Sequence, residues 1–385
     1  MGAIHLWLGM ASGIVIIILG ITGCLYTFID EIRPVVYHSR LFLKTIPAAQ
    51  SEMLPLKELQ RRAAKALHKE VPLLDIEIFA SKQRTMVFRY RERNDNAYLY
   101  TNHFINYDKV YLNPYTGEIV KVENAKWEFF NLVVMTHCTL LLGYLGKQMI
   151  TWSTVIFIIM LISGLILWWP KNKAAAKKRF SFKWKRASSW KRKNYDLHQI
   201  LGFYMVVIAF FIALSGLFMM LPKLDKAIQY VIDGGTKSSK PSMAGMNHFS
   251  VKNSALAQSD VLDQMLRQCA AMSHGAAEYR IYAPKGESDP ILFKCYSDHK
   301  THYAFVQNSF DQPTAKHNSM INFSSLSNGE KVHELTYDIH VGAILGLPGK
   351  ILVFLASLIT ASLPVSGFLI WIGKRKQQTT NAPGR

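Results

Sequence analysis

Four long apolar stretches punctuate the 385-residue chain: Leu6 to Phe28, Met149 to Trp169, Ile200 to Leu221 and Ile351 to Ile372. Crossing the hydrocarbon of a bilayer takes about 20 mostly apolar residues, so four transmembrane helices are predicted. Between them the pattern changes period. Leu56, Leu59, Ala63, Ala66 and Leu67 recur at helical spacing within Leu56 to Lys69. Ile76 to Phe79 and Thr85 to Tyr90 read as strands. Lys109 to Leu112 enters the turn Asn113-Pro114-Tyr115-Thr116-Gly117-Glu118 and leaves it in Ile119 to Val122, which predicts a hairpin. Trp127 to Leu142 has one apolar face and is expected to lie at the membrane interface before turning into the second span. Thr336 to Leu345 is expected to do the same before the fourth.

The chain repeats its landmarks. His137 is followed by Gly143, Gly146-Lys147, Ser163 and Trp168, and His340 is followed at the same intervals by Gly346, Gly349-Lys350, Ser366 and Trp371. Likewise His5 precedes Gly9 and Thr22-Gly23 as His198 precedes Gly202 and Ser215-Gly216. Two copies of one unit are expected, each with a histidine-bearing helix, a middle domain and a second histidine-bearing helix.

Half the residues are apolar, and mean hydropathy is only slightly positive, as for spans alternating with water-soluble segments. The net charge of +19 is concentrated. Eleven Lys and Arg face the single Asp196 between Lys171 and His198, and Lys374, Arg375, Lys376 and Arg385 follow the last span. Basic short loops stay in the cytoplasm, so both longer segments are expected outside, in the periplasm of a bacterium. The charge thus signals topology, and no nucleic-acid partner is expected. The first span reads as a mature helix, because it lacks a positive leader and a clear cleavage site. Since His198 has a long basic lead and His5 only four residues, a short extension ahead of Met1 is expected.

The order of helix, strands and the hairpin Val110 to Val120 resembles a PepSY domain. Flanked by spans with His-x3-Gly and His-x5-Gly landmarks, it resembles the PepSY-associated transmembrane family, and within it the haem-containing inner-membrane ferrisiderophore reductases. The resemblance covers nearly the whole chain; at Asp311-Gln312-Pro313 the second segment departs from it, lacking the Thr-Gly-Glu. The fold expected is membrane α-helical, with four transmembrane helices from a tandem repeat and two periplasmic α+β, PepSY-like domains. Its parts are residues 1–29 (first span), 30–126 (PepSY-like domain), 127–170 (interfacial helix and second span), 171–197 (cytoplasmic loop), 198–221 (third span), 222–335 (second periplasmic domain), 336–373 (interfacial helix and fourth span) and 374–385 (cytoplasmic tail).

A lone histidine at a membrane interface usually serves as a polar anchor, but duplication places these four in two levels. His5 and His198 belong at the cytoplasmic ends of two helices, and His137 and His340 at the periplasmic ends of the other two. The ends are separated by roughly 30 Å of hydrocarbon, so only same-side pairs can form. Two imidazoles meeting in a helical bundle without a carboxylate or thiolate suit axial ligation of haem iron, whereas zinc asks for four ligands. The resemblance likewise implies two bis-His haem b groups. Gly9 and Gly202, one turn from their histidines, are expected to admit a flat ring. Gly23, Gly164, Gly216 and Gly367 can equally pack membrane helices. Lys147 and Lys350 are candidates for haem propionates, although snorkelling anchors are the commoner use. Trp168, Trp169 and Trp371 read as an aromatic belt.

Cys24, Cys138, Cys269 and Cys295 form no metal motif, and an oxidising compartment permits a Cys269–Cys295 disulfide. Met243, Met246 and His248 are too loosely spaced for a copper site. No phosphate loop, dinucleotide fingerprint or nucleophile–base motif appears. The function expected is haem-dependent ferric-siderophore reduction in the bacterial inner membrane, among lipid. Its partners would be a ferric siderophore and an electron donor on the cytoplasmic side or a quinol. A membrane-anchored binding or inhibitory module, or a transporter, remains the alternative.

Overall fold

The computed structural model describes residues 2–48, 50–68, 75–170, 172–173, 179–236, 260–284, 286, 289–298 and 301–380. Met243, Met246 and His248 lie outside them. The helices are α1 (Gly2–Thr27), α2 (Ile29–Val36), α3 (His38–Leu41), α4 (Leu56–Ala66), α5 (Tyr100–His103), α6 (Phe129–Thr139), α7 (Gly143–Trp168), α8 (Trp190–Met220), α9 (Pro222–Ile232), α10 (Val261–Met272), α11 (Asn328–His340) and α12 (Gly346–Thr380). The strands are β1 (Asp75–Phe79), β2 (Met86–Arg93), β3 (Phe104–Leu112), β4 (Ile119–Asn124), β5 (Glu278–Tyr282), β6 (Ile291–Tyr296), β7 (Phe305–Phe310) and β8 (His317–Asn322). The chain forms two units, one of residues 1–28, 133–224 and 336–385 and one of residues 29–132 and 225–335.

In the first unit α1, α7, α8 and the segment Ala343–Arg375 are long and apolar enough to cross a membrane. Helix α1 packs on α7 and α12, and α8 packs on the same two, closing a four-helix ring. The ring is small-residued inside and greasy outside: Ser12, Gly20, Ser153, Ala213, Ala356 and Ala361 are buried, while Ile14, Ile162, Val207, Phe211 and Leu355 are exposed. Lipid tails offer helices no hydrophobic gain from mutual burial, so close backbone approach through small residues holds such bundles. A Cβ on Gly20 would stand 2.7 Å from the Ser357 carbonyl oxygen and 2.8 Å from Ala361 Cβ, so only glycine fits the α1–α12 crossing.

The entries to α7 and α12 explain the repeated glycines. Helix α6 ends at Thr139, and the chain reverses through Leu140, Leu141 and Gly143, all at positive φ. After α11 it reverses through Gly342 and Gly346, also at positive φ. A Cβ on Gly146 would overlap the Thr139 carbonyl oxygen, and one on Gly349 that of Gly342. Observed boundaries differ from expectation at four helices: α8 starts at Trp190, inside the expected loop, α12 runs on to Thr380, through most of the expected tail, and both interfacial helices shift. Helix α6 begins at Phe129, where the Glu128 carboxylate accepts from the Phe130 and Asn131 N–H groups at 3.0 and 2.9 Å. Helix α11 starts at Asn328, eight residues before the expected Thr336, and ends at His340, followed by a single 3-10 turn at Ala343–Leu345.

The second unit corrects the expectation of two separate α+β domains. All eight strands form one antiparallel sheet, ordered β4-β3-β2-β1-β5-β6-β7-β8. Edge strands β1 and β5 join its halves, with Ile76 opposite Ile281 and Phe79 opposite Glu278. Pairing these edges removes two rows of unsatisfied backbone groups that separate domains would expose. On one face Ile76, Phe88, Leu112, Ile281, Phe293 and Phe310 form a core with Leu56, Leu59, Leu262 and Met265 of α4 and α10. Burying each such side chain contributes about 1.5–3 kcal/mol. The Leu56 N–H at the start of α4 donates to both oxygens of Asp263 on α10 at 3.1 Å, a helix cap supplied by the other half of the sheet.

The two hairpins are alike despite their different sequences. In the first, Asn113 N–H donates to the Glu118 carbonyl at 2.9 Å and Gly117 sits at φ 72°. In the second, Asp311 N–H donates to the Lys316 carbonyl at 2.9 Å, and Ala315 occupies the left-handed position at φ 55°. Thr116 and Thr314 hold the same place in each six-residue turn, so Thr-Ala-Lys in place of the first turn's Thr-Gly-Glu is a substitution within a retained geometry.

Candidate functional site

Each of the four histidines meets a hydroxyl-glycine step on a neighbouring helix of the first unit. His5 Nδ1 lies 2.9 Å from Ser163 Oγ, His137 Nδ1 2.9 Å from Thr22 Oγ1, His198 Nδ1 2.9 Å from Ser366 Oγ and His340 Nδ1 3.1 Å from Ser215 Oγ. Each hydroxyl donates its own proton to a carbonyl of its helix: Ser163 to Met160, Thr22 to Ile18, Ser215 to Phe211 and Ser366 to Leu363. With the hydroxyl proton so engaged, the oxygen is left to accept, and Nδ1 must carry the proton it accepts. His340 Nδ1 also lies 3.0 Å from the Ile212 carbonyl, which can only accept. Nε2 therefore keeps its lone pair on all four rings. Metal-ligating histidines are oriented by this kind of hydrogen bond from the second nitrogen.

The adjoining glycine seats the ring. A Cβ on Gly164 would stand 3.2 Å from His5 Cε1, on Gly216 3.2 Å from His340 Cε1, on Gly367 3.3 Å from His198 Cε1 and on Gly23 3.6 Å from His137 Cε1. These glycines, readable from sequence as plain helix packing, face imidazoles. The clue lay in the matched intervals that place Ser-Gly or Thr-Gly in both copies.

The rings gather in two levels, roughly 25 Å apart along α1 from His5 to Thr22. At one level His137 and His340 have ring centroids 6.0 Å apart and planes inclined at 70°. Imidazole nitrogens sit about 2.0–2.1 Å from a bound metal and about 1.1 Å from their own ring centre, so two rings across one metal have centres about 6.3 Å apart. The observed spacing leaves room for one metal between the rings and is also that of an edge-to-face ring contact. At the other level His5 and His198 line a single cavity of about 960 Å³ with Gly9, Gly202, Trp168 and Trp371. Gly9 and Gly202 thus border the space they were expected to open, where Met160 and Leu363 are their nearest neighbours.

Trp168 departs from the aromatic-belt expectation. It is buried, stacks on Phe203 at 3.7 Å between centroids, and has no hydrogen-bond partner for its Nε1. Trp169 is exposed as a belt residue should be. Lys350 is only 2 % exposed, so it is a buried cation rather than a snorkelling anchor, whereas Lys147 is half-buried. Among the described residues no cluster of three or more His, Cys, Asp or Glu side chains can hold a metal ion. The imidazoles brought together are His137 with His340, and His5 with His198 around one cavity.

The sequence matches the model of the PepSY-associated TM region over residues 3–374. The match spans nearly the whole chain, and the protein belongs to that family. No curated protein matches it.

Proposed function

We propose that this member of the PepSY-associated transmembrane family is a di-haem electron-transfer protein of the bacterial inner membrane that reduces periplasmic Fe(III)-siderophores. His5 and His198 would hold one haem b and His137 and His340 the other, one ligand coming from each half of the chain. The observation that carries this reading is the His137–His340 pair, with centroids 6.0 Å apart and both Nδ1 atoms bound to hydroxyls. The cavity at His5 and His198, with its glycine walls and the unpartnered Trp168 Nε1, supports the second site.

Haem b supplies a one-electron couple when bound. The chain's own residues set the conditions for it. Thr22, Ser163, Ser215 and Ser366 hold the Nδ1 proton, which fixes the tautomer and raises the basicity of Nε2. The apolar helix faces exclude water, and Lys147 and Lys350 would offset propionate charge. Transfer of one electron to the ferric chelate lowers the metal's charge and loosens its hard oxygen ligands. The donor would be a cytoplasmic reductant or a quinol, because the basic loop before α8 is expected inside. The test is stopped-flow mixing of anaerobically reduced protein with a ferric siderophore. Reoxidation at a rate that depends on chelate concentration, and that His340→Ala abolishes, is expected; reoxidation of the remaining haem in His340→Ala at the wild-type rate would overturn the reductase reading.

A further inference from the structure

The sheet face opposite α4 and α10 gathers Arg33, Arg89, Arg91 and Lys109, of which only Arg89 has a carboxylate within ion-pair distance among the described residues. Arg89 and Arg91 of β2 point to this face, as do Tyr107 and Lys109 of β3. Arg89 stands directly opposite Lys109, and Arg91 opposite Tyr107. Like charges directly across a strand pair destabilise it. Lys109 is 6 % exposed. Arg33 of α2 adds a further cation to the field at Lys109 and Tyr107.

The nearby carboxylates are already engaged. Glu77 pairs with Arg89 and Glu123 with Arg40; Glu123 also accepts from Tyr111 at 2.7 Å. Glu128 accepts from Tyr37 at 2.6 Å and caps α6. Asp75 accepts the Ala283 N–H at 3.1 Å. Arg33, Arg91 and Lys109 have no carboxylate within ion-pair distance among the described residues, and the buried Nε atoms of Arg33 and Arg89 have no hydrogen-bond partner.

The electrostatics agree. Burial, reinforced by Arg33 and Arg89 and only partly offset by Tyr107 and Glu128, pulls the Lys109 ammonium down to about 8. Burial pushes the Tyr107 phenol up, but Lys109, Arg89, Arg91 and Arg33 outweigh it and hold it below its usual range. Unpaired buried charge is strongly unfavourable, and proteins break such local rules where function asks for it.

We propose that Arg33, Arg89, Arg91, Lys109 and Tyr107 form an anion-binding site, and that the ferric chelate docks there through negatively charged oxygen ligands. This rests on the reductase reading and deepens it by selecting the substrate class: chelates of net negative charge, rich in carboxylate or catecholate oxygens, in preference to neutral hydroxamates. Guanidinium groups match such oxygens with paired N–H bonds, and the lysine adds a point charge. A neutral chelate gains no Coulomb attraction from the same groups.

The experiment measures binding alone. Haem-loaded full-length protein in detergent is titrated calorimetrically with the gallium(III) complex of citrate, which accepts no electron. The uncharged gallium(III) complex of a trihydroxamate and gallium-free citrate are titrated in parallel. The citrate complex is expected to bind tightest, and Lys109→Met and Arg33→Gln each to weaken it by roughly tenfold or more. Lys121→Gln on the exposed edge strand is expected to change nothing; haem content is expected to stay at the wild-type value in all three variants, and melting temperature to rise in Lys109→Met and Arg33→Gln, which relieve unpaired charge. Equal affinity for the uncharged complex or for free citrate would overturn the proposal, as would unchanged binding in both cluster variants. So would loss of haem from the variants with chelate binding intact, which would assign the cations to propionates. If the gallium complex binds as expected but its iron counterpart fails to reoxidise reduced protein, the site stands and the reductase reading falls. The reverse outcome leaves that reading intact and removes this one.

Discussion

Enlarging Gly216 stepwise tests whether the hydroxyl-glycine step is a seat for a ligand ring. A Cβ there would stand 3.2 Å from His340 Cε1 and 3.7 Å from its Nδ1. Carbon atoms rest about 3.5–4.0 Å apart, so the ring must retreat by about 0.3–0.8 Å. Overpacking of this kind costs roughly 1–3 kcal/mol, and ligands displaced beyond about 0.5 Å leave productive geometry. Loss of ligand orientation typically lowers metal affinity about 10–100-fold. On the proposed ligation Gly216→Ala should weaken haem binding at the His137–His340 level by about tenfold and Gly216→Val by about a hundredfold, with the His5–His198 level retained. Gly23→Ala is the internal control, since its added carbon would lie 3.6 Å from His137 Cε1, at ordinary contact. The assay is haemin titration of the apo-protein followed in the Soret region, with a melting curve beside it to separate lost ligation from lost fold. Equal haemin affinity in wild type, Gly216→Ala and Gly216→Val would refute the seat.

Two further outcomes concern the sheet unit. His333 Nδ1 lies 2.7 Å from Asp225 Oδ2, and that hydrogen bond raises the imidazole above its ordinary range despite burial. A raised folded value gives stability that is full below the unfolded pKa of about 6.5 and is lost as pH rises through the folded one. Melting temperature should therefore fall with pH above that point in wild type and fall less in His333→Gln; superimposable pH profiles would contradict the pairing. The Sγ atoms of buried Cys269 and Cys295 are 2.8 Å apart, close enough to join by losing two protons and two electrons to a thiol–disulfide oxidant. After denaturation without reductant, Cys24 and Cys138 are expected to alkylate while Cys269 and Cys295 do not. Alkylation of all four would contradict the disulfide.

Much of the architecture was legible because it is local. Apolar length disclosed the four helices, and the hairpin turn disclosed the first set of strands. The histidines stood out because their intervals repeat. What could not be read was long-range. No periodicity in Asp75–Phe79 or Glu278–Tyr282 says that these two edges pair across some 200 residues of chain. Ser163, Ser366 and the glycines beside them were visible as spacing, but their task follows from which helix adjoins which histidine. Ala315 hid the second hairpin because alanine is an uncommon occupant of left-handed backbone. Lys350 resembled a surface anchor because burial of its neighbours is set by the bundle rather than by its own sequence context.

Haem stoichiometry in single-ligand variants tests the paired-histidine assignment most directly. Wild-type protein, expressed with haem supply and quantified as the pyridine haemochrome, should carry two haem b per chain, both low-spin. His198→Ala and His340→Ala should each retain one, and the double variant none. A folded wild type without a Soret band, or loss of both haems from either single change in folded protein, would contradict the assignment.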